Sequence, residues 1–342
     1  MNLDVLKKIA KQMVAPGKGI IAADESSGTC KKRFDAVGVE CTEENRRLYR
    51  TMMFETPSLE QFVSGVILYD ETIRQKGSDG TAVSEILSKK GILPGIKVDA
   101  GAKDLALHPD EKVTEGLDGL RERLAEYKGF GAKFAKWRAV ITIGENIPSE
   151  ACIFANAHAL ARYAALCQET DIVPIVEPEV LIDGDHTIER CYEVTETTLE
   201  EVFEELNREG VAPEGTILKA SMVIAGKKSP KQSSVEEVAE ATLRVLNATV
   251  PKNLAGVVFL SGGQGDEQAT AHLNKMNQSG KQPWPLSFSY SRAIQNPVLK
   301  KWAENPAANV KAAQDTLLFR SKMNALATQG KYSDEMEKDR PY

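Results

Sequence analysis

The sequence predicts an α/β protein built as a single (β/α)8 TIM barrel, with a short helix before the barrel and a flexible tail after it. Three observations lead there. Short apolar runs rich in Val, Ile and Phe recur eight times and alternate with longer segments of helical period, the pattern of repeated β-α units. No linker rich in Pro, Gly or Ser divides the 342 residues, a length that closed barrels commonly reach as one unit. Polar residues also gather at the carboxyl ends of the apolar runs, the end where barrels carry their sites.

Taken in order, MNLDVLKKIAKQM reads as a short amphipathic helix, without the apolar run and cleavage site of a secretory signal. Strands are expected at Gly19–Asp24, Val63–Tyr69, Gly95–Asp99, Phe134–Ile141, Val173–Glu179, Ile217–Met222, Gly256–Gly262 and Leu286–Ser291. Helical patterns include Ala151–Glu169, Glu189–Glu209, Val235–Ala248, Glu267–Asn277 and Val310–Ala327, several with Ser or Thr near the start as a cap. Eight strands, each followed by a helix, favour closure; the order alone also permits an open doubly wound sheet. The barrel is expected to occupy residues 1–329. The polar stretch Gly330–Tyr342, ending on an aromatic residue, is expected to be a mobile tail.

Composition narrows the function. Apolar residues at 42% and charged residues at 27% belong to an ordinary globular chain, which excludes a disordered protein. No run reaches the roughly 18 apolar residues that cross a bilayer, so no membrane partner is expected. Five cysteines, an odd number without paired short spacing, fit free thiols in a reducing compartment, and the expected location is cytoplasmic. The four histidines form no HxH or HxxxH pair, so no metal is expected. A net charge of -6 without a basic block argues against nucleic acid, and any anionic ligand must be met by local positive charge.

Strand residues two apart share a face, so Ala22 with Asp24, Lys136 with Arg138, Glu177 with Glu179 and Lys219 with Ser221 each project together. If those faces point inward, their charges converge. Lys219 in TILKASMVI sits among apolar residues, where a buried lysine must be neutral or paired. One reading turns it outward with its stem along the helix layer. The other makes it a Schiff-base amine, its pKa depressed by Lys136. Glu177 and Glu179, flanking Pro178 in an apolar run, read either as ion-pair partners of Lys136 or Arg138 or as a proton-transfer pair. Asp24 in IIAADESSG reads either as a helix cap or as a base beside a lysine. For phosphate, Ser261, Gly262 and Gly263 follow the seventh strand, and Ser289 and Arg292 close the eighth, the two loops in which barrels often hold that group.

These residues lie within longer matches. The segments GKGIIAADESSGT, TEENRRLYR, GVILYDET, GIKVDAG, GLDGLRERLAEYKGFGAKFAKWR, ARYAALCQETDIVPIVEPEVLIDGDH, GTILKASMV, FLSGGQ and FSYSRA make the chain resemble class I fructose-bisphosphate aldolase along nearly its whole length. The resemblance implies that Lys219 forms a Schiff base with the C2 carbonyl of fructose 1,6-bisphosphate, with no metal and no cofactor. It implies Glu177 as proton acceptor and donor, Glu179 as the group that orients and balances the lysines, and Lys136 as a substrate-holding cation. Asp24 would handle the C4 hydroxyl proton or keep the lysine chemistry aligned. Ser261, Gly262, Gly263, Ser289 and Arg292 would hold the C1 phosphate, and Arg33, Lys97 and Arg138 the rest of the sugar and its C6 phosphate. Tyr342 would reach the site on the tail and help protonate the enamine.

The same resemblance implies sugar phosphates as ligands, a homotetramer, and a place in glycolysis, gluconeogenesis or the Calvin cycle. Two departures stand out: LKASM where much of the family has LKPNM, and Ser291 where others have glycine. The rival readings are a Schiff-base barrel acting on another ketose phosphate, such as sedoheptulose 1,7-bisphosphate, and a non-catalytic scaffold on the same fold.

Overall fold

Alternation along a strand sends one set of side chains into the barrel and the other toward the surrounding helices. The computed structural model describes residues 1–342, and both sets find partners. Eight parallel strands form the barrel: Gly19–Ala23, Val63–Leu68, Leu93–Lys97, Phe134–Ile141, Val173–Val180, Ile217–Ala220, Gly256–Phe259 and Leu286–Tyr290. They run around it in chain order, and the first pairs with the eighth, Ile20 opposite Ser289. That pairing excludes the open sheet.

Inside the barrel, Ile20, Ala22, Ile67, Phe134, Ile175, Ile217 and Val258 pack together, and Leu6, Ala10 and Met13 of helix Leu3–Met13 join them from the amino-terminal end. The Phe134 ring takes the space that side chains on neighbouring strands would need. A Cβ on Gly95 would lie 2.2 Å from that ring, so only glycine fits there. The outward set, including Val66, Trp137, Leu218 and Phe259, belongs to the larger core beneath the helices. Ser149, Thr187 and Ser234 accept hydrogen bonds from the first turns of Glu150–Glu169, Ile188–Arg208 and Val235–Thr249, as capping hydroxyls do.

Three strands differ from the sequence expectation by two residues or more, and four others by one. The third runs Leu93–Lys97 rather than to Asp99, and the sixth and seventh stop at Ala220 and Phe259. The residues beyond these ends stay buried but leave the ladder to build loops; Gly262 and Gly263, for example, turn to φ values of 57° and 95°. A short hairpin follows the third strand, its exposed arm Ala102–Asp104 paired with the more buried Lys112–Thr114. Gly330–Tyr342 folds back as a turn at Asp334–Asp339, where buried Glu337 accepts two hydrogen bonds from buried Arg320 at 2.6 and 2.7 Å. At its end, the Tyr342 hydroxyl donates to Asp266 Oδ2 at 3.0 Å.

Candidate active site

The carboxyl end of the barrel opens into a cavity of about 460 Å³ lined by residues of the inward set. Lys136, Glu177 and Lys219 are only 3–4% exposed there. The two lysines, expected near each other with the charge of one acting on the other, have a carboxylate between them. The fifth strand lies between the fourth and the sixth, so Glu177 reaches in between them. Its Oε1 is 3.0 Å from Lys219 Nζ and its Oε2 is 3.4 Å from Lys136 Nζ. Lys136 Nζ in turn lies 2.6 Å from Asp24 Oδ2. The result is a buried chain of alternating charge, Asp24, Lys136, Glu177 and Lys219, in which each group answers the desolvation of the next.

The electrostatics follow from that order. Burial alone would raise the Asp24 pKa, but the charges of Lys136 and Lys219 outweigh it and bring the group down to about 2. Burial likewise works against ionised Glu177, while Lys219, Lys136 and Arg138 hold its pKa below the usual carboxylate range. For Lys136, burial disfavours the cation, yet Asp24 and Glu177 raise its pKa well above the ordinary lysine value. Glu177 is therefore an ionised acceptor within hydrogen-bond reach of an amine, the geometry a general base needs. Asp24 is free for Lys136 because Ser26 caps the following helix, Ser27–Asp35, by accepting from Thr29 N–H at 3.4 Å. Glu179 accepts from Arg138 Nε.

Around this chain the cavity is cationic, although the protein is acidic. Lys32, Arg33, Lys97, Lys136, Arg138, Lys219 and Arg292 line it against the carboxylates Asp24, Glu25, Glu177 and Glu179, a local surplus of three positive charges. An anionic ligand is thereby favoured. Ser261, Gly262, Ser289 and Arg292 line one part, and Gly263 adjoins them. Ser289 Oγ is buried without a protein partner, a hydroxyl left over for a ligand. Arg33 pairs with Glu25 and donates to Asn296 Oδ1 at 3.3 Å, and Lys97 lies 3.5 Å from Asp99.

Of the expected site residues, Gly263 borders this cavity without lining it and Tyr342 lies outside it. Tyr342 lines a neighbouring one of about 400 Å³ that shares Arg292. Sequence reasoning missed Glu25, Ser26, Thr29 and Lys32 and noted Ser291 only as a departure; all five line the main cavity. A loop and a short polar helix carry no strong periodic signal, although Ser26, Ser27 and Thr29 ahead of Lys31, Lys32 and Arg33 at a helix start were readable as an anion site. Ser291 uses its hydroxyl to donate to Glu25 Oε1 at 2.5 Å. No grouping of three or more His, Cys, Asp or Glu side chains is arranged to hold a metal ion, and no helix is long and apolar enough to cross a membrane.

Fold and cavity together define a (β/α)8 barrel whose carboxyl-end cavity is suited to an anionic ligand. The family model for fructose-bisphosphate aldolase class-I matches residues 5–341. A probable fructose-bisphosphate aldolase class 1 of Xanthomonas campestris is 60% identical over 97% of this chain and 99% of its own. A fructose-bisphosphate aldolase of Drosophila melanogaster is 53% identical over 96% of this chain and 91% of its own. Among solved structures, fructose-bisphosphate aldolase from Plasmodium falciparum, in complex with TRAP and a small-molecule inhibitor, superposes with a TM-score of 0.95. It shares 47% identity, over 97% of this chain and 96% of that one. The chain belongs to the class I fructose-bisphosphate aldolase family and is a lyase.

Proposed function

We propose that the chain reversibly cleaves fructose 1,6-bisphosphate to dihydroxyacetone phosphate and glyceraldehyde 3-phosphate through a Schiff base on Lys219. The observation that carries this reading is the Glu177 carboxylate shared between two buried lysines, 3.0 Å from Lys219 Nζ. Glu177 takes a proton from the Lys219 ammonium, the freed amine attacks C2 of the open-chain ketose, and a proton passes from the attacking nitrogen to the former carbonyl oxygen to give the carbinolamine. Glu177 then protonates the carbinolamine hydroxyl, which leaves as water and yields the iminium ion. Lys136 holds the substrate, and Glu179 fixes Arg138 beside it.

Removal of the C4 hydroxyl proton, with Asp24 as acceptor or aligning group, forms the aldehyde carbonyl as the C3–C4 bond breaks. The bonding pair moves into the iminium system and leaves an enamine on Lys219, while glyceraldehyde 3-phosphate departs. Protonation at C3, assisted by Tyr342 once it has left Asp266, restores the iminium ion. Water then releases dihydroxyacetone phosphate and the lysine. Ser261, Gly262, Gly263, Ser289 and Arg292 take the C1 phosphate; Arg33, Lys97 and Arg138 take the remainder of the bisphosphate.

Family membership supports a cytoplasmic homotetramer acting in glycolysis and gluconeogenesis; light scattering that returns a monomer mass removes the tetramer. The mechanism is tested by incubating the protein with dihydroxyacetone phosphate, reducing with borohydride and mapping the adduct by peptide mass spectrometry, with a chelator-treated sample beside it. An adduct on Lys219 in both samples is expected. Turnover without any adduct would sink the Schiff base. Sedoheptulose 1,7-bisphosphate in the same turnover assay tests the rival substrate, which prevails if its kcat/KM is the greater.

A further inference from the structure

Lys227 lies outside every motif considered so far, yet the fold delivers its ammonium group to the glycine pair after the seventh strand. The loops that follow the fifth and sixth strands are laced together. Lys227 N–H donates to Ile182 O at 2.9 Å, Gly226 N–H to His186 O at 2.9 Å and Lys228 N–H to Gly184 O at 2.8 Å. The approach is close enough that a Cβ on Gly226 would lie 2.5 Å from Gly184 O, so glycine is required there. Ile182 also packs against the seventh-strand loop, its Cγ2 lying 3.2 Å from where a Gly262 Cβ would stand. Three loops thus meet at Gly262 and Gly263.

At that meeting point a Cβ on Gly263 would fall 2.7 Å from Lys227 Nζ and 3.5 Å from an Arg292 guanidinium nitrogen. Two cations from different loops therefore flank the same glycine. Neither the Gly262 nor the Gly263 N–H takes part in the backbone hydrogen bonding of the loops. The present partner of Lys227 is Asp183 at 3.0 Å, whose side chain is 69% exposed. Solvent screens such a pair, and Lys227 exchanges it for a better anion at little cost.

We propose that Lys227 is a further phosphate-binding residue, which swings from Asp183 onto the phosphate held at Gly262, Gly263 and Arg292. The inference rests on the proposed reading that this loop takes the C1 phosphate of the sugar. Lys227 binds and carries no proton in the chemistry. A dianion between two cations and two free N–H groups is held more tightly than one facing Arg292 alone.

Lys227→Met keeps the apolar stem and removes the charge, and Asp183→Asn releases the lysine. Wild-type protein is first shown to turn over fructose 1,6-bisphosphate and to form the borohydride adduct on Lys219; failure here removes the underlying reading and not Lys227 in particular. With that in hand, KM for fructose 1,6-bisphosphate and for fructose 1-phosphate, and the competitive inhibition constant of inorganic phosphate, are measured for each variant. Lys227→Met is expected to raise all three by about tenfold, the loss of one charge-assisted contact, with kcat within about twofold. Asp183→Asn is expected to leave them unchanged or lower them. Unchanged constants in Lys227→Met overturn the proposal, as does an equal rise in both variants, which would make the pair a loop clamp. A rise for the bisphosphate alone also overturns it, since Lys227 would then serve the other phosphate.

Discussion

Glu177 Oε1 lies 3.0 Å from Lys219 Nζ with both side chains buried, so the proposed acceptor of the first proton and its proposed donor are held together before any substrate arrives. Preorganisation of this kind removes a reorganisation step from the reaction. Glu177→Gln keeps the shape and one hydrogen bond but cannot take the proton. Its kcat is expected to fall by about 10²- to 10⁴-fold, the usual worth of a general acid-base group. The rate of borohydride trapping with dihydroxyacetone phosphate should fall alongside, because carbinolamine formation and dehydration precede the trapped species. Normal trapping with low turnover would assign Glu177 to a later step.

Asp24 gives a pH signature. Lys136 and Lys219 overcome the effect of burial and lower its pKa from 3.8 to about 2 in the folded chain. A folded value below the unfolded one means the stabilisation is fully present above about pH 4 and is lost as the pH falls toward 2. Asp24→Asn lacks this contribution and leaves Lys136 with less compensation. The wild-type advantage in urea unfolding free energy should therefore hold from pH 5 to about pH 4 and shrink between pH 4 and pH 2. A constant difference across that range would show that the Asp24 charge does not stabilise the fold.

The third strand ties the inner core to the same site. A methyl group at Gly95 would stand 2.2 Å from the Phe134 ring, and Phe134 leads the strand that carries Lys136 and Arg138. Gly95→Ala should destabilise the protein by about 1–3 kcal/mol, the range for overpacked cores. Adding Phe134→Leu should recover part of that loss in thermal or urea unfolding. Equal stability of the single variant and the wild type would mean that the ring moves aside freely.

These relationships differ in how plainly the sequence announced them. Barrel strands are buried on both faces, so they stand out as apolar runs, and a charged residue such as Lys219 or Glu177 inside one is conspicuous. Their pairing was less visible. That Glu177 comes between the lysines depends on the spatial order of the fourth, fifth and sixth strands, which closure of the barrel fixes. The strand ends at Ala220 and Phe259 were read too long because Met222 and Leu260 beyond them are also buried. The hairpin at Ala102–Asp104 is polar and short, and Thr29 and Lys32 sit on the nine-residue helix Ser27–Asp35, too short and polar for its period to stand out. Lys227 reads as one more surface lysine until the loop contacts are known.

In the proposed mechanism the carboxyl-terminal segment bears on protonation of the enamine. Here Tyr342 OH donates to Asp266 Oδ2 at 3.0 Å, beside the cavity that shares Arg292, while Glu337 is held by buried Arg320. A tail that serves the enamine must release the first contact, and the second provides an anchor about which its end can swing. Removing Tyr342 should then lower kcat by about 10- to 100-fold, less than a full general-acid loss because water can substitute. Exchange of the dihydroxyacetone phosphate C3 proton with solvent should slow by the same factor, with Lys219 trapping intact. Asp266→Asn weakens the resting contact, and amide exchange over residues 338–342 should rise in it while turnover persists. If deleting Tyr342 instead slowed trapping and left C3 exchange untouched, the tail would belong to iminium formation, on the Glu177 side of the reaction, and not to enamine protonation.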